Sequence, residues 1–148
     1  MREAHRSADS VNALAAQGPK LPHGLLRSAM QYVNDNLDAK LTWHQIASAV
    51  GVDPFRLGRG FKFAAGMTLH QYVTRCRIRQ AMRLLAREEL GIADIALEVG
   101  FSCQSHLTTL FRKHTGTTPA AFRKATARTA QRFAPAGGVG SSSSARAE

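Results

Sequence analysis

Between residues 24 and 128 the apolar side chains recur at intervals of three and four, and nothing alternates with the period of two expected of a half-buried strand. Leu26, Ala29, Met30 and Val33 fall on one face of a helix over residues 25–36. Thr42 is placed to cap a short helix carrying Trp43, Ile46, Ala47 and Val50, which Gly51 stops. Asp53 before Pro54 is a strong helix start, because the first helical position has no use for the N–H that proline lacks. That helix runs to about Ala65, and Gly66 ends it. Thr68 opens the longest helix, to about Arg87, and three more are expected near 92–98, 103–114 and 119–128. The pattern predicts an all-α chain.

The same pattern repeats. Ile46-Ala47-Ser48-Ala49-Val50-Gly51-Val52 recurs 49 residues later as Ile95-Ala96-Leu97-Glu98-Val99-Gly100-Phe101. With one extra residue in the second turn, Leu57 then matches Leu107, Phe61 matches Phe111, Lys62 matches Arg112, Gly66 matches Gly116 and Tyr72 matches Phe122. Each copy reads as a short helix with a small Ala for close approach, a Gly that breaks it and an apolar plug, Val52 or Phe101. A second helix follows, with Leu and Phe on its inner face. This is a helix-turn-helix, whose second helix can present its first side chains to the major groove of DNA. One copy would be weak evidence, since helical hairpins are common. Two copies, each followed by a basic helix end, point to tandem DNA-binding units.

The intervening helix tests the idea. The 20 residues from Thr68 to Arg87 would span roughly 30 Å, against about 34 Å between successive major-groove faces of B-DNA. A rigid linker of that length suits two recognition helices in adjacent grooves. The expected organisation is a leader over 1–23, with a short helix around Val11 to Ala16, a first lobe over 24–66 and a linker helix over 67–88. A second lobe over 89–128 and a disordered Ala-, Gly- and Ser-rich tail over 129–148 complete it.

Charge strengthens this reading. The chain carries 20 Lys and Arg against 10 Asp and Glu, a net charge of +10, which favours a polyanionic partner. Distribution matters more than the total. Phe55 to Arg87 contains eight Lys or Arg and no acid, and Phe101 to Arg132 contains six, again with no acid. The first fifty residues hold five basic and four acidic side chains. Cys76 and Cys103 form no CxxC pattern, which with no apolar signal core at the amino terminus suggests reduced thiols in a cytoplasm. No apolar run approaches the roughly 20 residues that cross a bilayer. Six histidines without ligand spacing, and the lack of a nucleophile–base pattern or Gly-rich phosphate loop, predict no metal, no cofactor and no catalytic site.

These residues resemble the DNA-binding domain of the AraC/XylS family over about residues 25–126. The resemblance is strongest from Arg77, Ala81 and Leu84-Leu85 through IADIALEVGFSCQSHLTTLFRKHTGTTPAAFRK, with Gly100-Phe101, Ser105-His106-Leu107, Phe111-Arg112, Gly116 and Thr118-Pro119 at the signature positions. The first unit matches more loosely through Ile46-Ala47, Gly51, Leu57, Arg59, Phe61-Lys62 and Gly66. The resemblance implies a seven-helix, two-lobed fold that activates or represses bacterial promoters. Many members carry an amino-terminal effector domain, and none is expected in the residues before the first lobe.

The resemblance places base contacts at Phe55 and Arg59, and Arg56 shares the exposed start of that helix. Arg can pair with guanine O6 and N7, and an aromatic ring can meet a thymine methyl. The plainer readings are a phosphate contact for Arg59 and a core position for Phe55. Gly58 and Gly60 flank Arg59, each costing up to about 1 kcal/mol against Ala, so this helix is expected to fray or to order on DNA. In the second unit Gln104, Ser105, Thr108 and Thr109 take the exposed positions. The family often has Arg where Thr109 stands, so this unit is expected to read fewer bases or to depend on shape. Lys62, Arg112 and Lys113 lie toward the helix ends, where phosphate contact is the natural role.

Other positions read as structural. His106 is expected to pack at the turn, and Trp43, Phe61, Tyr72, Phe101 and Phe111 fall at core positions. Arg77 is expected to pair with Asp94 or Glu98. Arg75, Arg79, Arg83 and Arg87 form a stripe at intervals of four, read first as a solvated face, with phosphate or RNA polymerase as the other readings. The expectation is a cytoplasmic, sequence-specific regulator whose partner is double-stranded promoter DNA. The competing reading, favoured by Gly58, Gly60 and Thr109, is an architectural protein that binds DNA with weak sequence preference.

Overall fold

The computed structural model describes residues 20–87 and 89–133. The expected leader helix around Val11–Ala16 and the tail from residue 134 lie outside the described residues. Those described form seven helices and no strand: α1 (His23–Asp35), α2 (Trp43–Ala49), α3 (Pro54–Ala65), α4 (Leu69–Leu85), α5 (Ile92–Glu98), α6 (Gln104–Thr115) and α7 (Pro119–Phe133).

Local chemistry explains the boundaries. Thr42 and Thr68 each form a reciprocal capping box, with Gln45 and Gln71 respectively. Asp53 caps α3 through Oδ1, which accepts from the amides of Phe55 and Arg56 at 3.0 Å each. Helices α3 and α6 both end on a glycine in the left-handed conformation, Gly66 and Gly116. The long helix is shorter than expected. It ends at Leu85, where the amide of Arg87 bonds to Leu84 O in a tightened last turn. Helix α7 runs five residues past the expected Arg128 boundary, to Phe133. The first lobe also starts earlier than residue 24: Leu21 is buried in its core.

Two cores share α4. The first gathers Ala29 and Val33 of α1, Ile46 and Ala47 of α2, Leu57 and Phe61 of α3, and Leu69 and Val73 from the first half of α4. The second takes Ile78, Ala81, Leu84 and Leu85 from the other half of α4, with Ile95, Ala96, Val99, Phe101, Leu107 and Phe111. Apolar burial of this kind is the main source of stability in each lobe. The sequence repeat is repeated in space. The amides of Val52 and Phe101 bond to Ala47 O and Ala96 O, at 3.0 and 2.8 Å, closing the same turn twice. Phe61 meets Tyr72 edge-on at 5.5 Å, and Phe111 meets Phe122 edge-on at 5.6 Å.

Candidate nucleic-acid interface

Helix α3 turns Leu57, Gly60 and Phe61 inward, which leaves Phe55, Arg56, Arg59 and Lys62 exposed on its other side. Phe55 is 71% exposed, which rules out the core reading for it. Its ring has a partner on its own helix: the Arg59 guanidinium carbon lies 5.4 Å from the ring centroid. An aromatic ring and a planar cation thus form one exposed unit near the start of a capped helix.

The two glycines of α3 do not interrupt it. The helix is continuous from Pro54 to Ala65, and Gly60 is buried. A Cβ on Gly58 would stand 3.2 Å from Cζ3 of Trp43, so this glycine gives the indole room to lie against α3. The expectation of a frayed helix is therefore corrected. The propensity cost is offset by seating α3 on its neighbour. Trp43 itself is not a buried core residue, being 37% exposed. Tyr72 is half-buried, whereas Phe61, Phe101 and Phe111 are fully inside.

Helix α6 buries Leu107 and Phe111 and exposes Gln104, Ser105 and Thr109, with Thr108 half-buried between them. The hydroxyls of Thr108 and Thr109 donate to Gln104 O and Ser105 O, at 2.9 and 3.0 Å. With those protons engaged, each threonine keeps a methyl group and an acceptor lone pair for other contacts. Cys103 stands where Asp53 stands in the first unit, but closes no capping hydrogen bond. The backbone amides of His106 and Ser105 lie near its exposed sulfur without closing that cap, and, His106 first, they and the Ser102 hydroxyl lower the thiol below the ordinary cysteine range. His106 packs edge-on against Phe101 at 5.2 Å, as expected of a turn residue. Lys62, Arg112 and Lys113 are exposed in the later turns of α3 and α6, where they also complement the helix dipole.

Arg77 does not pair with Asp94 or Glu98. Its Nε donates to Leu37 O at 3.0 Å and its Nη2 to Ala39 O at 2.8 Å, both carbonyls in the segment between α1 and α2. Burial lowers its pKa, with nearby Asp38 partly opposing that shift. Sequence spacing could not show this contact, which joins residues 40 and 38 positions apart. Arg75, Arg79 and Arg83 are exposed along α4, whereas Arg87, the fourth member of the expected stripe, is exposed in the turn that follows the helix. Arg79 and Arg83 line a groove of about 560 Å³ together with Asp35, Asp38 and Glu98. Those carboxylates would repel a phosphate backbone, so this groove is a poor DNA track. Among the described residues no group of three or more His, Cys, Asp or Glu could hold a metal ion. None of their helices is long and apolar enough to cross a membrane.

A family model described as a helix-turn-helix domain matches residues 46–125, more than half of the chain. The probable transcription factor PqrA of Proteus vulgaris is 43% identical over 79 residues, covering 53% of this chain and 65% of PqrA. The bifunctional transcriptional activator/DNA repair enzyme AdaA of Bacillus subtilis is 36% identical over 94 residues, covering 64% of this chain and 44% of AdaA. The chain thus spans less than two thirds of either relative. An AraC-type transcriptional regulator from Chromobacterium violaceum superposes with a TM-score of 0.68 at 30% identity, covering 71% of this chain and 94% of that structure. The repeated turn, the shared linker helix and these matches together place the chain in the AraC/XylS-type helix-turn-helix family.

Proposed function

We propose that this protein is a transcription regulator that reads promoter DNA by seating α3 and α6 in adjacent major grooves. The observation that carries the reading is the exposed Phe55–Arg59 unit on a capped recognition helix, repeated in position by Gln104, Ser105 and Thr109 on α6. A solvent-facing phenylalanine costs apolar hydration in the free protein, and a thymine methyl in the groove would remove that cost. Phe55, Arg56 and Arg59 are the main base readers in this account. Gln104, Ser105, Thr108 and Thr109 give a milder second contact, in which the threonine methyl groups favour thymine. Lys62, Arg112 and Lys113 hold phosphates.

The relatives PqrA and AdaA are named as a transcription factor and a transcriptional activator, which supports activation as the direction of regulation. An activator needs a surface for RNA polymerase, and the exposed arginines of α4, Arg75, Arg79 and Arg83, offer one. The repair activity in the name of AdaA is not transferred, and the reading gives this protein no catalytic role and a site of action in the bacterial cytoplasm.

The test is selection of bound duplexes from a random library, followed by titration of the selected and a scrambled duplex at two salt concentrations. The selected duplex should bind at least about 10³-fold more tightly, with the scrambled one retaining the salt dependence of phosphate contacts. Equal affinities would support the architectural reading instead, in which charge and shape do the binding.

A further inference from the structure

Off the linker axis, the two lobes approach each other around Arg77. Along α4 the first core ends at Val73 and the second begins at Ile78. Arg77 lies at this changeover. A single helix passing between two cores is a rod that can bend or twist at the join. A second contact away from its axis turns the join into a fixed joint.

That contact is built around one guanidinium. Arg77 holds Leu37 O and Ala39 O of the first lobe, and its guanidinium carbon lies 5.9 Å from the ring centroid of Phe101, the plug of the second turn. Gly100, beside Phe101, completes it. A Cβ there would stand 2.3 Å from Leu37 O and 2.8 Å from Nη2 of Arg77. The second helix-turn-helix thus presses its turn against the first lobe's loop, through Arg77. The first unit has no counterpart, since a Cβ on the matching Gly51 would meet nothing within 4 Å.

We propose that Arg77 is a positioning residue that fixes the angle between the two recognition helices, and so sets the spacing of the two DNA half-sites the protein accepts. An arginine that only capped the α1–α2 loop would stabilise the first lobe without affecting the relation between lobes. Here the same planar group is shared by both. Lysine could supply charge but not the fork that reaches two carbonyls at once.

Two measurements test this, the first independent of the DNA-binding reading. Spin labels are placed on the exposed Cys103 at the start of α6 and on Ala64→Cys in α3, with buried Cys76 left unlabelled. The distance distribution in the free protein should be narrow, and Arg77→Ala and Arg77→Lys should broaden it at least about twofold. The second measurement rests on the proposed function. It titrates duplexes in which the separation of the selected half-sites is changed one base pair at a time. The parent should lose about tenfold or more in affinity one base pair from its preferred spacing, the loss expected when a rigid join prevents simultaneous engagement. Both Arg77 variants should flatten this profile to less than about twofold, while single half-site affinity stays within about twofold of the parent. Should Arg77→Ala fail to fold, Arg77→Lys decides. An unchanged distance distribution in a folded variant would overturn the proposal, as would a uniform affinity loss with the spacing profile intact.

Discussion

At the scale of single residues, Phe55, Arg56 and Arg59 stand exposed on one side of α3, opposite the buried Leu57, Gly60 and Phe61. Phe55 and Arg59 touch each other in the free protein, so their contributions should not add. Arg59→Ala should cost about 1–3 kcal/mol in binding and relax specificity at one position. In a double-mutant cycle with Phe55→Ala, the pair should show coupling of about 0.5 kcal/mol or more. A loss from Arg59→Ala that is equal for all sequences would make it a phosphate contact.

A second residue-level test separates the two turn glycines, which the sequence repeat makes equivalent. Both have positive φ, +69° at Gly51 and +86° at Gly100, so alanine is strained at either. Only at Gly100 would the added methyl also strike backbone and the Arg77 fork. Gly51→Ala should therefore destabilise by about 1 kcal/mol and Gly100→Ala by more than about 2 kcal/mol, as read by chemical denaturation. Similar values would remove the argument for a jammed joint. The lowered pKa of Cys103 gives a third test. A depressed value means that thiolate persists to lower pH, so the pH midpoint of its alkylation should lie below that of a cysteine in an unstructured peptide measured alongside. Bound DNA should protect Cys103. A midpoint at or above that of the peptide would contradict the lowering by the neighbouring amides and hydroxyl.

At the scale of elements, the parts of the fold written in local chemistry were legible. The caps Thr42, Asp53 and Thr68, the stops at Gly51 and Gly66, and the 49-residue repeat placed the seven described helices within two residues, except for the end of α7. What escaped was set by contacts distant in sequence. Gly58 looked like a helix defect because its partner, the ring of Trp43, lies 15 positions away. Arg77 looked like a partner for Asp94 or Glu98 because its carbonyl acceptors lie 40 and 38 positions away in the sequence. The exposed face of α3 and of α6 was legible as a helix face, and the structure was needed to take Phe55 out of the core.

The linker helix carries its own prediction. Its 17 residues span about 25 Å at the usual rise, short of the roughly 34 Å between successive groove faces. The difference has to come from the reach of α3 and α6 or from DNA bending toward the protein. A circular-permutation assay with the selected duplex should show a bend. A straight duplex bound with both half-sites engaged would show that the recognition helices make up the whole distance.

At the scale of the molecule, the two lobes form one reader with unequal halves. The first offers an aromatic–cation unit on a helix capped by Asp53. The second offers hydroxyls already bonded to their own backbone, on a helix headed by Cys103 without a closed cap. Specificity should therefore reside mainly in the first half-site, with the second providing register. Methylation interference on the selected duplex tests this most directly. The account predicts two patches of interference about one helical turn apart on one face, with Arg59→Ala removing the interference at the one base it reads in the first and leaving the second. A single patch, or two patches that Arg59→Ala leaves unchanged, would contradict it.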